Sequence, residues 1–510
     1  MKKQILACLD RYPHTSIENL NGEIKLIWGT DGLPLCRGSQ RHAWPIMAFI
    51  YNIQPRIVFH VVMAVGPSVK PSGLEFLQEF IDEASELLEI GIQYKGKTYS
   101  INIMAGILDA QARSFVKCIK STNGYYGCDQ CQIRGLSDNS RMLYIVQDTE
   151  NCEKRTDENF RNMSQPEHHI GKTPLLKLKI DMVNCYPVDF MHQSGGLMKK
   201  ILECWFGTRK TNYRVPTRTR PIINQRIRII KKCVPKDLFP RRIRTLDNMK
   251  YYKYTEIKQI LLYVGKIIFL DVLHENNYDN FLSFSIAMTL LCDSDNAKNY
   301  VHIAKTLLEN VDKDFPQLYS HEFMSYNAHA IKHLPDVVEY HNCSLSNLSA
   351  YAFENELRHV KKYNRSSQKS LPQLVKGIYR RNSVLGKVNN KLPKINHTAP
   401  KNIYIDPLKH IIYEVLKKYN DGITFKTNKF KGHNTVKDFF KEPVRSSYIG
   451  CYKILRKNGV VTNVSRSALL VCRRGIKIPL SQLNDIVQPD LQHYDFVQMV
   501  CHNQDEQLFS

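Results

Sequence analysis

The 510-residue sequence is short of acid: 48 Asp and Glu stand against 72 Lys and Arg, a formal charge of +24. A solvated surface needs charge but not that imbalance, which points to a polyanionic partner, nucleic acid ahead of a membrane surface. Long apolar runs are missing as well. The most apolar stretches, IVFHVVMAV and ILLYVGKIIFLDVL, are too short or carry Lys and Asp, so neither spans a bilayer. The start, MKKQILACLDRYPH, has no apolar segment of signal-peptide length, and a soluble, intracellular chain is expected. The 14 cysteines follow no regular spacing, which argues against a disulfide framework and leaves buried thiols plus a metal site. Fixed-period repeats and long low-complexity tracts are absent. What remains, 43% hydrophobic and 24% charged, is globular, with length for roughly two to four domains.

From Glu23 to Asp109 short β-rich runs alternate with one helix. EIKLIWGTD, HAWPIMAFIYNI and PRIVFHVVMAVG read as strands, GLEFLQEFIDEASELLEIGI as an amphipathic helix, and YSINIMAGILD as a further strand. The expected class is therefore α/β. Asp31 and Asp109 both stand at strand C-terminal ends, where α/β sheets expose functional side chains. Residues 1–22 are a lead-in, and 23–135 a first domain. A mainly helical stretch follows over 136–340, then a helix carrying Glu354 over 341–365. Basic, Pro-punctuated residues 366–402 read as a linker, and 403–510 as a small β-rich domain.

Three residue sets carry chemistry. Asp31, Asp109 and Glu354, if gathered, would repel one another unless cations sat between them, and hard oxygen ligands suit Mg²⁺ or Mn²⁺. Taken singly, an Asp after a strand is equally well read as a turn or N-cap residue. On a helix, 354, 358, 361 and 365 share a face reading Glu, Arg, Lys, Arg, which fits a metal ligand whose helix follows a phosphate backbone; a solvated, salt-bridged face is the alternative. The second set is Cys128-Asp-Gln-Cys131. Its glycine-rich flanks suit a zinc knuckle better than a thioredoxin-type pair, and two core thiols remain open. The best further ligands are His329 and His333, spaced i and i+4 in NAHAIKHL. The third set is basic: Arg218, Arg220, Arg226, Arg228, Lys231 and Lys232, with Arg241 to Arg244, could track a nucleic-acid backbone, as could Arg358, Lys361 and Arg365.

Taken in order, DGLPLCRGSQRHAWPI, KPSGLEFLQEFIDE, LDAQARSF, GYYGCDQC, RTDENF, HHIGKTPLL, VDFMHQ, YTEIKQILLYVG, NAHAIKHL and AFENEL resemble the CACTA (En/Spm, tnp2-like) DDE transposases of animal genomes, over about residues 23 to 385. The resemblance implies a ribonuclease H-like core interrupted by a helical insertion between the second catalytic Asp and the catalytic Glu. It makes Asp31, Asp109 and Glu354 the catalytic ligands of Mg²⁺ or Mn²⁺, and Cys128, Cys131, His329 and His333 the ligands of a structural zinc. The same order of residues is similar to that of Transib transposases and the V(D)J recombinase. Asp189 and His192 match the family's Asp-x-x-His. A nuclear protein is implied, cleaving and joining DNA at transposon ends and target as a dimer or larger assembly. The chain departs from the family at Leu108, Gln111, Asn123 and the Ser194–Leu197 stretch, none of them a carboxylate or zinc-ligand position. A descendant that keeps the fold and binds DNA without turnover is the alternative function. A thiol oxidoreductase using Cys128 is a third. No DNA-binding zinc finger or helix-turn-helix is recognised ahead of Asp31, so terminal-repeat recognition is expected in the insertion or the tail, if anywhere.

Overall fold

The computed structural model describes residues 1–384 apart from 36–40, 67–69, 72, 146–152, 209–212, 234–240 and 366–368, and beyond 402 only the backbone of strands between Ile403 and Pro479. The architecture is mixed α/β. Two compact units divide the chain: residues 1–200 with 290–390, and residues 201–289 with 391–510. Segments 136–200 and 290–340, grouped with the helical stretch on sequence, thus pack in the same unit as the main sheet.

That sheet runs β4-β3-β1-β6-β5, from β1 (Glu23–Thr30), β3 (His42–Ile50), β4 (Phe59–Gly66), β5 (Ile92–Tyr94) and β6 (Lys97–Gly106), with the two-residue β2 (Leu33–Pro34) also along β3. β1, β3 and β4 pair antiparallel, whereas β6 lies parallel to β1, with Trp28 opposite Gly106. A parallel neighbour needs a crossover, and α1 (Gln78–Ile90) supplies it, burying Phe80, Ile81, Ala84 and Leu87 at helical spacing. Gly91 ends the helix at φ 69°, a left-handed position that a side chain resists. The lead-in packs as well: Ile5, Cys8, Leu9 and Ile17, from two short N-terminal helices, and Tyr12 between them join the same core as Trp28 and Phe80.

Helices α2 (Ala110–Val116), α3 (Phe190–Phe206), α6 (Val301–Tyr319), α7 (Tyr326–His329), α8 (Leu334–His341), α9 (Tyr351–Tyr363) and α10 (Ser370–Val384) follow, with α4 (Arg220–Cys233) and α5 (Glu275–Cys292) between α3 and α6. Two expectations are corrected. The linker over 366–402 contains α10: Pro372 falls in the helix's first turn, where a missing N–H costs little, and Leu374 is fully buried. The helix carrying Glu354 ends at Tyr363, so Arg365 lies beyond it rather than on its face. Residues 385–402 are outside the described residues, and past them antiparallel pairing joins Ile403–Asp406, Ile411–Tyr419, Gly422–Lys426 and Asn434–Val436.

Candidate carboxylate and metal centres

Parallel register brings two carboxylates together. Asp31 and Asp109 each stand three residues beyond the Trp28 and Gly106 pair, and the Ile107 N–H donates to the Trp28 carbonyl at 2.8 Å, extending the pairing toward them. Each uses one oxygen locally. Asp31 Oδ1 accepts from the Gly32 N–H at 2.6 Å, and Asp109 Oδ1 caps α2 by accepting from the Ala112 N–H at 2.6 Å. Gly29 lets the third element approach: a Cβ there would lie 2.7 Å from the Ile107 carbonyl oxygen and 2.9 Å from the Phe353 ring, which also packs on Phe49. Only a residue without a side chain leaves room for α9, and Phe353 carries Glu354 beside it.

Asp31 responds to the other two. Burial, then the charges of Asp109 and Glu354, push the Asp31 carboxyl up from 3.8 to about 7. Glu354 is held from behind: Asp189, buried at the start of α3, accepts from His192 Nδ1 at 2.7 Å and from the Ala350 N–H, just before α9, at 2.9 Å. His192 Nε2 lies 3.6 Å from Glu354 Oε1. Glu356 is committed elsewhere, to Arg381 of α10 and to His60 at 3.7 Å. Beside these contacts, Leu108 is core, and Gln111 and Asn123 are exposed.

A carboxyl pushed up to about 7 would have to give up its proton to bind a cation. Mn²⁺ affinity is therefore expected to rise as pH climbs from 6 to 8, releasing close to one proton per ion on the acid side and flattening above, as read by calorimetry in buffers of different ionisation enthalpy. The stability sign is opposite. A folded value above the unfolded one means that stability falls as pH rises from about 4 to about 7, so metal-free Asp31→Asn is expected to melt higher than the native chain at pH 8.

The second centre is tighter. Cys128, Cys131, His329 and His333 are all buried and offer donor atoms within 4.8 Å of one another, the one such group of His, Cys, Asp or Glu among the described residues. Cys128 Sγ is 3.5 Å from His333 Nε2, Cys131 Sγ 3.3 Å from His329 Nε2, and the two Nε2 atoms are 3.2 Å apart. A tetrahedral zinc with bonds of about 2.3 Å to sulfur and about 2.0 Å to nitrogen puts its ligands roughly 3.3 to 3.7 Å apart, so the set fits such an ion. His333 Nδ1 faces Asp336 at 3.9 Å, the carboxylate partner that orients a ligating imidazole. Without metal, burial opposes ionisation of Cys128, but its hydrogen bond with Cys131 and the charges of His333 and His329 carry the thiol well below its usual value. The two histidines lie on α7 and the 3-10 turn after it, a helix just long enough to turn both rings one way.

Sequence reasoning misses the residues between these centres. Asp129, inside the Cys-x-x-Cys, is buried and ion-paired with Arg113 of α2 at 2.6 Å. The signal available was an acid placed between two ligands and an Arg one turn after Asp109. Of the basic set, Arg218, Arg228, Lys231 and Lys232 are exposed, as are Arg358, Lys361 and Arg365. Arg226 is not available to a backbone: it donates to the Ile267, Ile268 and Leu270 carbonyls. Arg220 donates to the Phe206 carbonyl, and Arg244 is paired with buried Glu256 at 2.7 Å. No helix among the described residues is long and apolar enough to cross a membrane. No protein-family model and no curated protein matches the chain.

Proposed function

We propose that the chain is a DNA strand-cleaving and strand-joining protein of the CACTA (En/Spm, tnp2-like) DDE transposase kind. On this reading it has a ribonuclease H-like core, a helical insertion between Asp109 and Glu354 and a β-rich C-terminal domain. It acts in the nucleus on transposon ends and target DNA as a dimer or larger assembly. The observation that carries the proposal is the parallel register that sets Asp31 and Asp109 at adjacent strand ends, where burial first, and then the charges of Asp109 and Glu354, push the Asp31 carboxyl up to about 7. The antiparallel β4-β3-β1 set with β6 parallel on its far side also agrees with such a core.

Mg²⁺ or Mn²⁺ bound by the three carboxylates would supply the Lewis acidity for in-line attack of water, and then of a 3′ hydroxyl, on a phosphodiester. Asp31 and Asp109 offer their uncommitted oxygens. The Asp189–His192 pair steadies Glu354. Zinc on Cys128, Cys131, His329 and His333 would be structural, tying the segment after α2 to the one that leads into α9. Exposed Arg358 and Lys361, on the helix of Glu354, and Arg228, Lys231 and Lys232 of α4 suit a phosphate backbone, and their number implies steeply salt-dependent binding.

The test is Mg²⁺-dependent nicking and joining of DNA bearing terminal inverted repeats. Turnover by the native chain that Asp109→Asn lacks supports the proposal; equal signal from both ends it. Salt-sensitive DNA binding with no turnover at all would assign the chain to descendants that bind DNA without chemistry.

A further inference from the structure

Arg113 lies within the motif that ends in Asp109's helix, yet it is 3% exposed and reaches four separate pieces of chain. Its Nε meets Asp129 Oδ2, between the zinc-type cysteines, at 2.6 Å. Its Nη2 donates to the Tyr326 hydroxyl, on the helix of His329, at 2.7 Å. Its Nη1 donates to the Leu108 carbonyl at 3.3 Å and to the Pro187 carbonyl at 3.2 Å. Leu108 immediately precedes Asp109, and Pro187 stands two residues before Asp189. One planar fork therefore touches the backbone behind Asp109, the backbone behind the residue that steadies Glu354, and one residue from each of the two segments that carry the Cys2His2 cluster.

We infer that Arg113 is a positioning residue through which the Cys2His2 knuckle sets the geometry of the carboxylate site. The inference rests on the metal-dependent reading of that site. Its physical basis is the guanidinium itself: five donors in a rigid plane fix the directions of several acceptors at once. A lysine ammonium at the same place keeps the charge opposite Asp129 but cannot span these acceptors. Burial makes the arrangement hard to replace, because each carbonyl released in a dry interior loses a partner that water cannot restore. Lys117 does not duplicate the role: its Nζ lies 3.5 Å from the same Asp129 oxygen and over the rings of Phe160 and Tyr186, so it balances charge without gripping the Leu108 and Pro187 carbonyls.

The experiment compares Arg113→Lys with the native chain by zinc content, melting temperature and Mn²⁺ affinity, the last from the paramagnetic resonance signal of free Mn²⁺, with Asp109→Asn defining binding at other sites. Arg113→Lys is expected to keep its zinc and a cooperative melt while its Mn²⁺ affinity falls about tenfold or more, the usual size of an outer-shell effect. Zinc retained with Mn²⁺ affinity unchanged overturns the inference. Should Arg113→Lys lose zinc or fail to fold, Tyr326→Phe decides, since it removes one hydroxyl, which accepts from Arg113 and donates to Asp129 Oδ1 at 3.4 Å: zinc kept and Mn²⁺ affinity lowered about threefold supports the inference, and unchanged affinity or lost zinc overturns it. A native chain that binds no Mn²⁺ beyond Asp109→Asn removes the carboxylate-site reading and this inference together. Native binding that both Arg113 and Tyr326 variants share removes this inference alone.

Discussion

Asp109→Asn is expected to lose Mg²⁺-dependent cleavage by about 10³-fold or more while binding DNA as tightly as the native chain. A metal ligand in a two-ion site supplies several kcal/mol of transition-state stabilisation, and each 1.36 kcal/mol is a factor of ten. What makes the substitution informative is its small structural cost. Asn accepts from the Ala112 N–H as Asp109 Oδ1 does, so α2 keeps its cap. Removing one of three mutually repelling charges also relieves Asp31, whose carboxyl Asp109 helps to push up. Stability should therefore hold or rise while activity falls. Melting curves, DNA affinity in Ca²⁺ and nicking in Mg²⁺, measured on one preparation, separate the two effects. A variant as active as the native chain would mean that the nuclease is a contaminant or that the chemistry lies elsewhere.

Cys128→Ser is expected to lose zinc and to melt lower by roughly 10 °C or more, if it folds at all. A structural zinc contributes its binding free energy to folding, and several kcal/mol lost from a domain of this size moves the melt by about that much. The site has no easy substitute ligand. Cys128 is fully buried, and the variant would leave Cys131, His329 and His333 packed around a weaker oxygen donor. His329 Nδ1 has no hydrogen-bond partner, so without metal the ring is held by its stacking on Tyr144 and by the Nε2 contacts with Cys131 and His333. Metal analysis and thermal melts of variant and native chain make the check, and a chelator added to the native chain should reproduce the variant's melt. Zinc content unchanged in Cys128→Ser would count against the ligand set.

The Cys-x-x-Cys, the paired histidines and the strand ends that carry Asp31 and Asp109 were legible in the sequence because their signals are local. An Asp after an alternating apolar run, a Cys-x-x-Cys between glycines and two histidines one turn apart all sit within a few residues of the features that mark them. The basic residues were only half legible. Arg226 and Arg228 look alike in sequence, but Arg226 is spent on main-chain carbonyls of another segment, and an acceptor made of backbone leaves no trace in residue identities. Helix α10 was hidden by the Pro and Lys around it, because propensity reads Pro372 as a break without knowing that it falls in a first turn. Arg113 was hidden for the opposite reason: a charged residue in a short helix reads as solvated, and only packing reveals that it is 3% exposed and shared among four segments.

By itself, then, the sequence determined the donor types, the order in which they come and the excess of positive charge. Tertiary structure decided which of them meet. Asp31 and Asp109 are neighbours because β6 pairs with β1 in parallel register, Glu354 joins them because Gly29 admits Phe353, and Cys128 finds His333 across 205 residues. The physical reason is one of range: strand alternation, caps and knuckles are settled by neighbours along the chain, whereas the gathering of distant side chains depends on which surfaces bury against each other.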